Sequence, residues 1–180
     1  MEELRKYIQS NKVNQTRLKA EVRDANMIAY PKRNLFVKLN QYANDFLSQR
    51  NEPRLIAISG LRGVGKTTVM WQTAEAIFKK HTKEIYFLNG NDLKNLGYGL
   101  HKTFDIFENE VIKKPFYEIT EPVVFLIDEI HDIENWDKHL KILYDKCKQA
   151  FILCTGSSAL LLHKSADLAS RMTLVRMFPF

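Results

Sequence analysis

The feature that most constrains this chain is the segment Gly60–Thr68, Gly-Leu-Arg-Gly-Val-Gly-Lys-Thr-Thr, which fits the pattern G-x-x-x-x-G-K-[ST]. Its glycines let the backbone turn so tightly that successive N–H groups point at one phosphate. Lys66 can then reach the outer phosphates, and Thr67 can offer its hydroxyl to Mg²⁺. The predicted phosphate-binding residues are therefore Gly60, Leu61, Arg62, Gly63, Val64, Gly65, Lys66, Thr67 and Thr68.

The residues on either side of this segment predict a strand before it and a helix after it. Leu55–Ser59 is a short apolar run that contains β-branched residues. Between Thr67 and Lys80, apolar residues recur at helical spacing. A glycine-rich turn before a helix is the alternative interpretation. Strand, loop and helix nevertheless follow in the order that a phosphate-binding loop requires.

A second signal comes at the end of another apolar run, Val123–Ile127, which leads directly into Asp128 and Glu129. A continuous apolar run is typical of a strand buried on both faces, and open α/β sheets hold ligands at the carboxyl ends of such strands. Asp128 can hold Mg²⁺ there, and Glu129 can orient or polarise an attacking water. An acidic turn is the alternative, and the phosphate-binding segment upstream favours the functional interpretation.

Further apolar runs predict the rest of a sheet. Strands are expected at Ile85–Leu88, at Ala150–Thr155 and in the stretch Met172–Met177, and a turn is expected at Asn89–Asp92. Five strands that alternate with helices indicate the doubly wound α/β class, because parallel pairing needs helical crossovers. We therefore expect a mostly parallel five-stranded sheet covered by helices on both faces.

The amino-terminal region is predicted to be helical. Residues 1 to about 30 carry apolar pairs at i,i+4 spacing, although their packing partner is unclear from the sequence. After Pro31, Asn34 is expected to cap a stronger amphipathic helix that Asn51-Glu-Pro53 ends.

Thr155 ends the predicted strand Ala150–Thr155, where its hydroxyl would lie between the phosphate-binding loop and Asp128 and could sense a terminal phosphate. Ser157 and Ser158 follow it, and the sequence leaves open whether they share this role or cap a helix. The histidines His131, His139 and His163 have no partner at metal-ligand spacing, so surface or packing roles are expected for them.

Positive charge is concentrated near the amino terminus. The net charge is +6, and positions 1 to 50 hold ten Lys and Arg against five Asp and Glu, whereas the remaining positions hold seventeen against sixteen. Such a segment can contact nucleic acid or an acidic partner, but a solvated helix face is the more common explanation.

Composition also bears on the compartment. No apolar run approaches the roughly 18 residues of a membrane span, and the amino terminus leads into no signal-peptide core. The two cysteines, Cys147 and Cys154, are expected to pack as small hydrophobic residues in a reducing environment. We therefore expect a cytoplasmic protein without membrane contact.

Four segments together resemble the prokaryotic AAA-type P-loop ATPases of the archaeal-ATPase-like group: Gly60–Thr67, Val123–Ile130, Trp136–Asp145 and Thr155–Leu162. The resemblance runs from about Arg33 to Phe180. It implies a sheet with strand order 5-1-4-3-2 and ATP with Mg²⁺ as ligands. It also implies Lys66 and Thr67 on the phosphates and metal, Asp128 on the metal, Glu129 as the catalytic carboxylate and Thr155 as a sensor.

The same resemblance points to Arg171, which matches an arginine that the family places before the last strand and which would act in catalysis. Ser170 stands where the family often has glycine. A surface ion pair is the alternative role for Arg171. Family members usually continue beyond the Phe-Pro segment near Phe178, so we expect a core at residues 33–180 that is truncated at its carboxyl end, preceded by a helical extension at 1–32.

These observations favour an ATPase that binds ATP between the loop and Asp128–Glu129 and hydrolyses it by attack of water, with self-association and an unidentified protein partner expected. Two alternatives remain. One is a nucleotide-dependent switch or a DNA- or protein-binding module with negligible turnover, and the other is a small-molecule kinase.

Overall fold

The computed structural model describes residues 1–157 and 166–179, and these form one parallel sheet with helices on both faces. The spatial order of the strands is β2-β3-β4-β1-β5, and every pairing is parallel. This confirms the predicted order 5-1-4-3-2. The strands are β1 (Leu55–Ser59), β2 (Ile85–Asn89), β3 (Val123–Asp128), β4 (Ala150–Gly156) and β5 (Thr173–Arg176).

The helices of the described residues alternate with the strands after β1, as parallel crossovers require. They are α1 (Glu2–Ser10), α2 (Gln15–Val22), α3 (Asn34–Gln49), α4 (Lys66–Lys80), α5 (Gly90–Asn95), α6 (Leu100–Ile106), α7 (Trp136–Lys146) and α8 (Ala166–Ala169). A π-helical turn, Phe107–Val111, continues α6, and short 3-10 helices lie at Phe116–Glu118 and Ile130–Asp132.

Two apolar clusters, one on each face of the sheet, form the core. One face is covered by α1, α6 and α7, with Ile8, Phe107 and Leu140 buried in its cluster. The other is covered by α2, α3 and α4. Strands β3 and β4 are buried along their whole length, which explains their continuous apolar sequences. Cys147 and Cys154 are free and buried in the first cluster, as expected.

The amino-terminal segment passes around one edge of the sheet. Helix α1 packs on one face and α2 on the other, and the residues between them run beside β2. The Val13 N–H donates to the Ile85 carbonyl at 2.8 Å, and the Phe87 N–H donates to the Asn11 carbonyl at 3.0 Å. Because β2 is an edge strand, these bonds cover backbone groups that would otherwise be open to pairing with another chain. Whether residues 1–32 form a separate unit stays a prediction.

Two local predictions were wrong. The predicted turn Asn89–Asp92 is instead the last residue of β2 followed by the start of α5, and the Asn89 side chain caps this helix by accepting a hydrogen bond from the Asp92 N–H at 3.1 Å. The residues that favour turns also cap helices, so composition alone could not separate the two. Asn34 is the first residue of α3, and its N-cap is Arg33.

The register of the sheet brings the functional residues together. Asn89 of β2 lies opposite Asp128 of β3, and Ser59 of β1 lies opposite Gly156 of β4. The carboxyl ends of four neighbouring strands therefore meet at one edge. Among the described residues, no helix is long and apolar enough to cross a membrane.

Candidate functional site

The backbone of the loop between β1 and α4 favours glycine, as Gly60 and Gly65 show. A Cβ atom on Gly60 would lie 2.5 Å from the carbonyl oxygen of Met177, which follows the adjacent strand β5. Gly65, the N-cap of α4, has φ +94°. The close approach at Gly60 and the left-handed conformation at Gly65 place the loop against the sheet edge with the first turn of α4 behind it.

Lys66 is the first residue of α4 and folds back over the loop. Its Nζ donates to the carbonyl oxygens of Gly60 and Leu61, both at 2.9 Å, and the residue is 6% exposed. Among the other predicted loop residues, Leu61, Arg62 and Gly63 are exposed, while Val64, Thr67 and Thr68 are half-buried. The ammonium group is thus held at the rim of the loop by two neutral acceptors, which a phosphate oxygen can replace.

Asp128 joins the loop to the sheet. The Thr67 hydroxyl lies 3.1 Å and 3.0 Å from the two carboxylate oxygens of Asp128, and the Thr155 hydroxyl donates to Asp128 Oδ1. Asp128 is 5% exposed. The structure therefore places Thr67, Asp128 and Thr155 in contact, although they come from α4, β3 and β4. These hard oxygen donors are the ligands that Mg²⁺ prefers, so this group fits the predicted metal.

Glu129 follows the strand in a left-handed conformation, with φ 50° and ψ 46°. Its N–H donates to Thr155 Oγ1 at 3.0 Å, so Thr155 bonds both acidic residues. A Cβ atom on Gly90 would lie 2.1 Å from the Glu129 carbonyl oxygen. The turn that presents Glu129 is therefore packed between Thr155 and Gly90, and a positive φ at a non-glycine residue is the kind of strain found at functional sites.

His131 lies in the same group, contrary to the expected surface or packing role. Its Nε2 is 3.3 Å from Glu129 Oε2, and its Nδ1 accepts a hydrogen bond from the Ser157 N–H at 3.2 Å. With Nδ1 an acceptor, the proton of the neutral ring is assigned to Nε2, which donates to the carboxylate. For Ser157, the structure shows that the backbone N–H bonds His131. The two side-chain roles considered for Ser157, phosphate sensing and helix capping, stay predictions. Ser158 and His163 lie outside the described residues.

A cleft of about 570 Å³ opens beside these groups. Lys66 and Glu129 both line it, together with Gly60, Arg62, Asn89, Asn91, Asp92, His131, Asp132 and Ser157. Sequence reasoning missed the contribution of β2 and α5, where Asn89, Asn91 and Asp92 form one wall. The carboxyl-end rule for parallel sheets would have indicated them, because the segment follows a strand directly.

Sequence reasoning also missed Arg33. Its guanidinium donates to the Val64 carbonyl of the loop at 2.7 Å and to the Phe178 carbonyl at 2.7 Å. A cleft of about 460 Å³ adjoins these contacts and is lined in part by Pro31, Leu35 and Phe178. Arg33 therefore connects the loop to a second cleft, which is distinct from the one that Lys66 and Glu129 line.

The structure does not bring Arg171 to the loop. Thr173 of β5 pairs with Ile56, and Arg176 pairs with Ser59, so the start of β5 lies roughly 10 Å below the sheet edge that carries the site. Arg171 precedes that start, and its Nε donates to Asp145 Oδ1 at 3.0 Å. Within one chain, Arg171 has the ion pair that we considered as its alternative role, and contact with the phosphate-binding loop would require a neighbouring subunit.

This fold and site define the chain as an AAA-type P-loop ATPase domain. A family model described as "AAA domain" matches residues 52–180, so the chain belongs to that family. The chain is also 35% identical over 132 residues to the uncharacterized protein MJ1637 of Methanocaldococcus jannaschii, and the match covers 73% of this chain and 27% of that protein.

Solved structures with the same fold include Cdc6p from Pyrobaculum aerophilum, with a TM-score of 0.61 and 16% identity over 82% of this chain and 46% of that one. A RuvB P216G mutant from Thermotoga maritima gives a TM-score of 0.53 and 18% identity over 78% of this chain and 44% of that one. The chain thus spans less than half the length of these relatives, and at such identities the likeness shows the fold alone.

Proposed function

We propose that this chain binds ATP together with Mg²⁺ at the Gly60–Thr68 loop and hydrolyses it by attack of water on the terminal phosphate. The observation that carries the proposal is the contact of Asp128 with both Thr67 and Thr155. A buried carboxylate in contact with the loop threonine supports a role for Asp128 in holding the metal of a P-loop enzyme.

The loop residues would bind and orient the phosphates. The start of α4 favours negative charge at this point. Lys66 would exchange its bonds to the Gly60 and Leu61 carbonyls for charge-assisted bonds to phosphate oxygens, which are shorter and stronger.

Mg²⁺ bound by Thr67 and Asp128 would neutralise charge that develops on the phosphates. Glu129 lines the cleft with Lys66 and would accept a proton from the attacking water. Thr155, bonded to Asp128 and to the Glu129 N–H, would keep the two acidic residues in fixed relation. The second cleft, beside Pro31, Leu35 and Phe178, would take the base.

A nucleotide-dependent switch with slow turnover is the second candidate, and the position of Arg171 favours it. An arginine that reaches the terminal phosphate contributes about 10³ to 10⁵ in rate in other P-loop enzymes. Arg171 of the same chain bonds Asp145 instead. We therefore propose that self-association supplies this arginine and that an isolated chain turns over slowly.

The binding half of the proposal is tested by titration with a fluorescent ATP analogue in the presence and absence of Mg²⁺. Lys66→Ala should lose most of the affinity while its circular dichroism spectrum stays unchanged. Lys94→Ala, which removes an exposed lysine from α5, is the matched control and should bind like the parent. Unchanged affinity in a folded Lys66→Ala variant would exclude the loop as the nucleotide site.

A further inference from the structure

The amino-terminal surplus of positive charge, which nucleotide chemistry at the loop does not use, contributes to a groove between α2 and α4. The groove has a volume of about 350 Å³ and is lined by Lys19 and Arg23 of α2 and its C-cap, and by Lys79 and Lys83 at and beyond the end of α4. Lys79 is thirteen residues along α4 from Lys66, about 20 Å at the rise of a helix. The groove is therefore separate from the catalytic cleft.

One carboxylate, that of Glu75, forms ion pairs with two of these cations. Glu75 Oε1 lies 2.9 Å from Lys79 Nζ and 3.2 Å from a terminal nitrogen of Arg23. Lys19 and Lys83 are exposed. Four cations and one carboxylate leave a net charge of +3 in the groove lining. Such a concentration of positive charge attracts a polyanion. Because Glu75 already restrains Lys79 and Arg23, these side chains lose less conformational entropy when a ligand binds.

The floor of the groove is apolar and contains an aromatic ring. Leu18 is buried, and Phe78 is half-buried against the core beneath. Lys83 Nζ lies 5.5 Å from the centroid of the Phe78 ring. The Lys83 ammonium thus lies over the ring. When Lys83 turns toward a phosphate, the ring becomes a stacking surface for a base, and the nearby lysines supply counter-charges for the adjoining phosphates.

We propose that this groove binds single-stranded nucleic acid, with Lys19 and Lys83 contacting phosphates and the Phe78 ring contacting a base. An unpaired strand is the form that uses both parts of the groove, because the bases of a duplex are stacked inside the helix and cannot reach the ring. An acidic peptide would use the cations and leave the ring without a function.

The proposal is tested by fluorescence anisotropy with a labelled oligothymidylate of about 20 nucleotides, over a salt series from about 50 to 200 mM. The double variant Lys19→Ala/Lys83→Ala should bind roughly tenfold more weakly and should lower the slope of log affinity against log salt by about 1.4, the value for two contacts to a single strand. Phe78→Leu should weaken binding at least about fivefold through lost stacking and leave the slope unchanged.

The control is Lys138→Ala/Lys148→Ala, which removes the same charge from two exposed positions on and after α7, on the opposite face of the sheet. It should bind like the parent. The proposal is overturned if the parent does not bind at the lowest salt, or if both double variants weaken binding equally, which would indicate non-specific attraction. It is also overturned if Phe78→Leu binds normally and polyglutamate competes as well as the oligonucleotide, which would assign the groove to an acidic peptide.

Discussion

The Nε2 nitrogen of His131 lies 3.3 Å from Oε2 of Glu129, and the opposite side of the ring accepts a hydrogen bond from the Ser157 N–H. The candidate catalytic carboxylate on the turn after β3 is thus tied through one imidazole ring to the residue that follows β4. This arrangement corresponds to a general base oriented by a second group, the pattern on which activated nucleophiles depend in other enzymes. It gives His131 a positioning role that can be measured.

His131→Ala should lower kcat for ATP hydrolysis about 10- to 100-fold, since a hydrogen bond to a charged group is worth about 1.5 to 3 kcal/mol. The affinity for ATP should change little, because the bonds of His131 to Glu129 and Ser157 do not involve the phosphate-binding loop. His131→Gln, which keeps an N–H donor, should recover part of the rate. Steady-state kinetics with a separate binding titration distinguish the two effects. A variant that loses only ATP affinity would contradict the positioning role.

Gly90→Ala should destabilise the protein by about 1 to 3 kcal/mol, the usual cost of overpacking, because the new methyl group would lie 2.1 Å from the Glu129 carbonyl oxygen. The turn that carries Glu129 would have to shift, so hydrolysis should fall as well. Urea unfolding measures the stability. Gly99→Ala is the control, since a Cβ there meets nothing within 4 Å. If Gly90→Ala and the parent had the same free energy of unfolding, the turn would move to accommodate the methyl group without a cost in stability.

Acidification should weaken the fold in part through His139. Burial lowers the pKa of His139 below its ordinary value of 6.5, and the nearby His101 and Lys138 lower it further against the opposing effect of Asp137. The folded state then binds fewer protons than the unfolded state, so the free energy of unfolding decreases as the pH falls below about 6.5. Urea unfolding at several pH values should show this slope. His139→Asn should flatten it, and an unchanged slope would exclude His139 as its source.

Our proposal is that Arg171 acts on the phosphate bound by a neighbouring subunit. Specific ATPase activity should rise with protein concentration, and Arg171→Ala should lower it strongly. A mixture of Arg171→Ala with Glu129→Gln should recover some turnover, because one mixed site combines an intact carboxylate with an intact arginine. Asp145→Asn is the control that breaks the ion pair and keeps the arginine. Normal, concentration-independent hydrolysis by Arg171→Ala would give the arginine a structural role, to which a surface ion pair such as the one with Asp145 contributes about 0 to 1 kcal/mol.

The sequence predicted those parts of the site whose chemistry depends on spacing along the chain. The motif Gly60–Thr68 fixes where the loop lies, and the run Val123–Ile127 fixes where Asp128 emerges. The contact of Asp128 with Thr67 then follows from parallel pairing and the position of α4. The strand order could be predicted because four segments of the sequence resemble a family whose members share one sheet topology.

The contacts that the sequence did not indicate depend on three-dimensional detail. His131 reaches Glu129 because Glu129 takes a left-handed conformation, which no neighbouring glycine signals. Gly90 meets Glu129 only through the register of β2 with β3. Arg33 bonds Val64 and Phe178 across long separations in the chain. None of these pairs has a periodicity or a fixed spacing that sequence reasoning can use.

The central claim, that Glu129 activates water at a site where other residues hold the nucleotide, is tested most directly by phosphate release from Glu129→Gln. The variant should bind ATP and Mg²⁺ as the parent does, because Lys66, Thr67 and Asp128 are intact. Its rate of phosphate release at saturating ATP should fall about 10²- to 10⁴-fold, as expected for the loss of a general base. Equal rates of release by the parent and Glu129→Gln would contradict the account.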